Sequence, residues 1–213
     1  MLHENITKLD KQIGRITALV LFYIAIIYAV ITVIGLLTLK SPLEQIHDPW
    51  FSIMEILILI MAPLMVVLMV EVHAYAGKTL SLTALIFMSI LACITCSEHF
   101  VVLTVSRQIE SITGLSWIPL FFSFKWPSVI YALDILAWDF FFSLSMFFAA
   151  PVFKGDRLNV SVRILMIVSG VLSFAGLIGP IVGDMQIRNI GIVGYAGVFP
   201  FTCLLLSKVF NRA

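Results

Sequence analysis

The chain has 213 residues, 61% hydrophobic and 12% charged, with a formal net charge of +1. Soluble domains carry roughly 25% charged residues, and a water-soluble protein this apolar could not cover its own surface; lipid tails would solvate these side chains instead. No basic block collects phosphates, which excludes nucleic acid as a partner, and the three cysteines, Cys93, Cys96 and Cys203, lie in apolar runs and make no disulfide framework.

The first apolar run, Ile16 to Leu39, is too long for a signal-peptide core of about 7–15 residues. No small-residue cleavage pattern follows it, since the chain continues Lys40-Ser41-Pro42, so it reads as a retained span. A spanning helix needs about 20 apolar residues. Six stretches qualify: 16–39, 50–72, 80–106, 127–153, 163–182 and 190–209. Every backbone group in lipid must be bonded within its segment, and the runs are too long and continuous for barrel strands. Pro42 with His47-Asp48-Pro49, Ala76-Gly77-Lys78, Lys154-Gly155-Asp156-Arg157 and Pro180 with Gly183-Asp184 separate them. The one long connector, 107–125, holds Gly114, Pro119, Trp117, Phe121, Phe122 and Phe124 and reads as an interfacial segment, because aromatic rings favour the headgroup level. The expectation is an all-α integral membrane protein, one polytopic domain over 1–213, built as a bundle of about six transmembrane helices.

Charge sets the orientation. With the N-terminus inside, nine of the thirteen Lys and Arg residues fall on inner segments, and four, Lys40, Arg107, Lys125 and Arg188, on outer ones. Both termini are therefore expected in the cytoplasm, with the chain in a cell membrane, plasma or inner. The halves show no similarity that would mark an inverted repeat.

Ionisable residues concentrate in the middle spans: Glu55 and Glu71 in the second, Glu98 and His99 in the third, Asp134 and Asp139 in the fourth. Charges in hydrocarbon are costly and normally face a bundle interior or a water-filled cavity, so spans two to four are expected to enclose a polar pocket, with spans one, five and six packed around it. His99 lies eight residues short of Arg107, about 12 Å below the outer end. Glu55, Glu98 and Asp134 share that outer half, and Asp139 lies near the midplane. The binding-pocket candidates are Glu55, Glu98, His99, Asp134, Trp138 and Asp139. The plain alternative is that the acids are protonated and serve only as helix glue.

Cys93, Cys96 and His99 repeat every three residues on one slanting helical stripe. A thiol redox pair would need a second pair that Cys203 alone cannot supply. Cys96 and His99 with a carboxylate are acceptable zinc ligands, although one helix rarely supplies three with good geometry. The plainest reading is two small residues in a packed helix. His73 and His99 lie at opposite depths, which disfavours a bis-histidine haem, and no span interior holds a lysine for a retinal Schiff base; no cofactor is assigned. On a regular helix Asp139 turns about 140° from Asp134, so the two acids are expected on different faces. Asp184, Gln186, Arg188 and Asn189 form a polar outer loop that reads as a solvated turn, with a lid over the pocket as the alternative. Gly170, Ser173, Gly176 and Gly179, with Gly191, Gly194 and Gly197, predict close packing of spans five and six, or an oligomer face. The expected function is binding or transport of a small solute or proton through an outward-facing pocket between spans two and four. The alternatives are a membrane-embedded enzyme acting on a lipid or quinone-like substrate, and a sensor or assembly subunit.

Overall fold

A computed structural model of the chain describes residues 7–41, 44, 46–109 and 117–212. Among them there are seven helices and no strand. Six are long and apolar enough to cross a membrane: α1 Lys8–Leu37, α2 Trp50–Ala76, α3 Thr79–Ile109, α5 Val129–Val152, α6 Arg157–Val182 and α7 Met185–Arg212. The short α4, Ile118–Phe122, lies in the long connector, with Trp117 and Phe121 about half exposed. The rest of the expected interfacial segment is divided: 107–109 continue α3, and 110–116, including Gly114, lie outside the described residues.

The helices begin and end where local chemistry satisfies their terminal groups. Thr7 and Asp10 form a reciprocal capping box at the start of α1. Gly77, with φ +56°, closes α2 and donates its N–H to His73 O, a left-handed position suited to glycine. The carboxylates of Asp156 and Asp184 cap α6 and α7 by accepting from the amides of Asn159 and Gln186, each at 2.9 Å. These caps carry helices α1 and α7 beyond the apolar runs 16–39 and 190–209 at their N-terminal ends, so their polar first turns are helical.

Each helix packs on its chain neighbours, α1 on α2, α2 on α3, α3 on α5, α5 on α6 and α6 on α7, and α7 closes the ring against α1. The core holds Met65, Leu68, Met88, Phe142, Met146, Met166 and Leu206, each essentially excluded from solvent. Burial differs along the ring: α5 is the most enclosed helix and α1 the least, as an outer helix with lipid-type side chains on its free face would be. Between α6 and α7 the glycines decide the spacing. A Cβ at Gly176 would stand 3.0 Å from Gly191 Cα, and one at Gly194 only 2.6 Å from Ser169 O. Ser169 in turn donates to Gly194 O at 2.8 Å. Small residues thus let the two backbones touch.

Three helices contain a π turn: Val102–Ser106 in α3, Leu136–Phe141 in α5 and Val193–Val198 in α7. A π turn bonds i to i+5 and re-phases every residue beyond it. The one in α5 rearranges the candidate site.

Candidate functional site

Six buried charged or titratable side chains meet where α2, α3, α5 and α7 face one another: Glu55, Glu98, His99, Asp134, Asp139 and Arg188, each no more than 5% exposed. His99 is fully buried and Nδ1 lies 2.6 Å from Glu55 Oε2. In the tautomer that donates Nδ1–H to that carboxylate, Nε2 carries the ring's lone pair. That nitrogen makes no hydrogen bond. It lies 3.7 Å from Glu98 Oε1 and 3.9 Å from Asp134 Oδ1. Glu98 is also without a hydrogen-bond partner at either oxygen.

Arg188 is the centre of the second half of the network. Its NH2 donates to Asp134 Oδ2 at 2.6 Å, its Nε to Asp139 Oδ2 at 3.3 Å, and its NH1 to the Tyr131 hydroxyl at 3.1 Å. The guanidinium also sits over the Tyr131 ring, 5.1 Å from its centre, within cation–π range. Two sequence expectations are corrected here. Arg188 is not in a solvated turn: it lies in the first turn of α7, 4% exposed, and points into the bundle. Asp134 and Asp139 do not face apart: with the π turn at Leu136–Phe141 between them, residues five apart come to one side, and a single guanidinium spans both. Gly176 and Gly191 leave the room for Asp139; a Cβ on Gly191 would collide with Asp139 Oδ1, and one on Gly176 would stand 3.0 Å from it.

A cavity of about 350 Å³ opens beside this network. Its walls come largely from α1, α2 and α7, through Leu21, Ala25, Ile58, Met65, Phe199 and Cys203. Its polar end is made by His99, Asp134 and Arg188, with Tyr28, Thr32 and Tyr195 also lining it. The enclosure expected from spans two to four alone is therefore corrected: those spans supply most of the polar cluster, but α1 and α7 wall the space next to it. Of the expected pocket residues, His99, Asp134 and Trp138 face the cavity, whereas Glu55, Glu98 and Asp139 stand behind them as partners or neighbours. Tyr131, Arg188 and Tyr195 were missed. The signal for Arg188 was its register: Arg188, Ile192, Tyr195, Phe199 and Cys203 recur at helical spacing and all line the cavity.

No family model, no curated protein and no solved structure matches the chain. Its function is therefore read from this geometry.

Cys96 does not join the cluster. It is half-buried on α3, Cys93 is exposed, and Cys203 is buried on α7 at the apolar wall of the cavity. A stripe of every third residue drifts around a 3.6-residue helix, which carries Cys93 out of the bundle while His99 turns in. The candidate ligand group among the described residues is Glu98, His99 and Asp134, each offering one atom within 4.8 Å of the others.

Proposed function

We propose that the chain is an integral membrane protein that binds a small solute in this cavity, an amphipathic molecule whose polar end meets His99, Asp134 and Arg188. Membrane insertion is supported by six helices of spanning length and apolarity. Both termini lie in the cytoplasm on this reading. Removing buried Arg188 from the outer loops leaves nine inner positive charges against three outer ones, which strengthens the bias. The polar cluster then occupies the outer half of the bilayer.

The observation that carries the reading is the one-sided chemistry of the cavity. Ligand sites are mostly apolar enclosures of about 300–1,000 Å³ with a few placed polar groups. Here apolar walls that include Leu21, Ala25, Ile58, Met65 and Phe199 carry an imidazole, a carboxylate and a guanidinium, with the hydroxyl side chains of Tyr28, Thr32 and Tyr195 beside them. A fully hydrated ion would waste the walls, and a hydrocarbon would strand the polar end.

The test uses Trp138, which lines the cavity. In a chain with Trp50, Trp117 and Trp126 changed to Phe, long-chain amines, carboxylates and quinones of matched apolar body are titrated while Trp138 fluorescence is followed. Saturable change with one head-group class, lost in Ala25→Phe, supports the reading. No saturable change with any class contradicts it.

A second reading, conversion of the bound molecule, is favoured by one feature: His99 lines the cavity, is oriented by Glu55 and has no hydrogen bond at Nε2. An acid–base group needs that combination of an orienting partner and an unengaged atom close to the bound molecule. Turnover of a lipid or quinone that disappears in His99→Gln, while fluorescence-detected binding persists, would establish it.

A further inference from the structure

We propose that Glu98, His99 and Asp134 form a binding site for one divalent transition-metal ion of the zinc class. The inference stands on ligand geometry and does not depend on the solute reading above.

The first ground is spacing. His99 Nε2 lies 3.7 Å from Glu98 Oε1 and 3.9 Å from Asp134 Oδ1. An ion with bonds of about 2.1 Å in tetrahedral geometry holds its ligands about 3.4 Å apart. The third pair, Glu98 and Asp134, lies within 4.8 Å, and side-chain rotation would bring all three groups onto one ion. The distances are too long for hydrogen bonds, so the three groups converge on one point without bonding each other.

The second ground is that the convergent atoms lack partners. His99 Nε2 and both Glu98 oxygens are buried and make no hydrogen bond, in side chains 0% and 1% exposed. Buried polar atoms are ordinarily satisfied, and an orphaned one costs about 1–3 kcal/mol. Two of them, His99 Nε2 and Glu98 Oε1, lie 3.7 Å apart and mark a position for something that accepts lone pairs.

The third ground is the shell behind the ligands. Histidines that hold metals commonly donate the other ring N–H to a carboxylate, which fixes the tautomer and raises ligand basicity. Glu55 takes that place at 2.6 Å from Nδ1. Arg188 takes the far oxygen of Asp134, Oδ2, and leaves Oδ1 on the side of His99. The donor set points the same way. Four carboxyl groups, Glu55, Glu98, Asp134 and Asp139, crowd around His99 and a single guanidinium, so Arg188 alone cannot compensate them and a divalent ion would.

Ligand type narrows the ion. One imidazole and two carboxylates suit zinc and its first-row neighbours, whereas calcium and magnesium sites are built from oxygens alone. Three protein ligands leave a position open. His99 and Asp134 line the cavity, so that position faces the space where a solute would sit.

Full-length protein in detergent, stripped with a chelator and dialysed, is titrated with Co²⁺, whose visible bands report ligation, and then challenged with Zn²⁺. The expected result is one equivalent of Co²⁺ displaced by one of Zn²⁺, with affinity reduced at least tenfold in Glu98→Gln and in Asp134→Asn. Glu55→Gln should reduce it about tenfold through the outer shell. His47→Ala and His73→Ala should leave it unchanged, because neither residue is near the cluster. Thermal unfolding of each variant shows whether it is folded, and Glu98→Gln keeps the shape of a side chain with no hydrogen bond to lose. Absence of stoichiometric Co²⁺ or Zn²⁺ binding by folded wild-type protein overturns the proposal and leaves protons to neutralise the acids. So does undiminished binding in Glu98→Gln, which would place the ion elsewhere. Either failure leaves the Trp138 titration unaffected, so the solute reading is judged separately.

Discussion

Arg188→Met is the substitution whose effect separates a buried network from a solvated turn. Methionine keeps an unbranched apolar stem but removes three hydrogen bonds and the cation–π contact at once. What remains is two carboxylates, Asp134 and Asp139, 5% and 0% exposed, that have lost their counter-ion. Removing one partner of a buried pair typically costs about 3–5 kcal/mol, because the stranded charge keeps its desolvation penalty. An exposed turn arginine would cost under about 0.5 kcal/mol. The assay is reversible unfolding in mixed micelles with increasing denaturing detergent. A loss of about 3–5 kcal/mol is expected, with much of it restored in Arg188→Met/Asp134→Asn/Asp139→Asn, since neutral amides no longer need the guanidinium. A loss under about 1 kcal/mol in the single variant, or no recovery in the triple one, would refute the reasoning.

Gly191→Ala should drive a methyl group into Asp139 Oδ1 and cost about 1–3 kcal/mol by overpacking, measured in the same unfolding assay, whereas Gly197→Ala meets only Val193 Cγ1 at 3.6 Å and should be tolerated. Ala25→Phe, on the cavity wall, should abolish saturable solute binding in the Trp138 titration while leaving Co²⁺ affinity within about twofold, since it lies on the apolar side. Asp48, before α2, accepts hydrogen bonds from the Ser52 hydroxyl and amide and from Arg107, and these hold its carboxyl below the ordinary carboxylate range. A depressed folded-state pKa contributes stability above the unfolded value of about 3.9 that is lost as pH falls through the folded one. Both side chains are more than a third exposed, so solvent screening keeps the effect under about 1 kcal/mol. Asp48→Asn should remove that small part of the acid sensitivity, read as a flatter stability profile below about pH 4.

Hydrophobic length made the six helices legible, because a spanning helix is a count of apolar residues. Depth was legible too: counting from the helix ends put Glu55, Glu98, His99 and Asp134 in one layer, and the structure brings those four side chains together. Rotation about each helix axis was not legible, since an all-apolar helix has no strong polar face to fix its phase. The π turn in α5 compounded this, because i to i+5 bonding has no signature in Leu136–Phe141 and moves Asp139 to the side of Asp134. Arg188 was obscured by its company. Asp184, Gln186 and Asn189 are polar and the helix cap is Asp184, so the segment resembles a solvated turn although one register position faces inward. The cavity wall of α1 was hidden for the opposite reason: Leu21 and Ala25 are indistinguishable in sequence from residues that face lipid.

The central claim is that the space beside His99, Asp134 and Arg188 is a binding site and not a packing gap. The most direct measurement is the mass of the intact chain released from membrane extracts under non-denaturing conditions, for wild type and Ala196→Phe, a variant that fills the cavity wall. The account predicts a discrete small-molecule adduct on wild type that is missing from folded Ala196→Phe. A bare wild-type mass, together with a higher unfolding temperature for Ala196→Phe, would mean that filling the space only improves packing, and would contradict it.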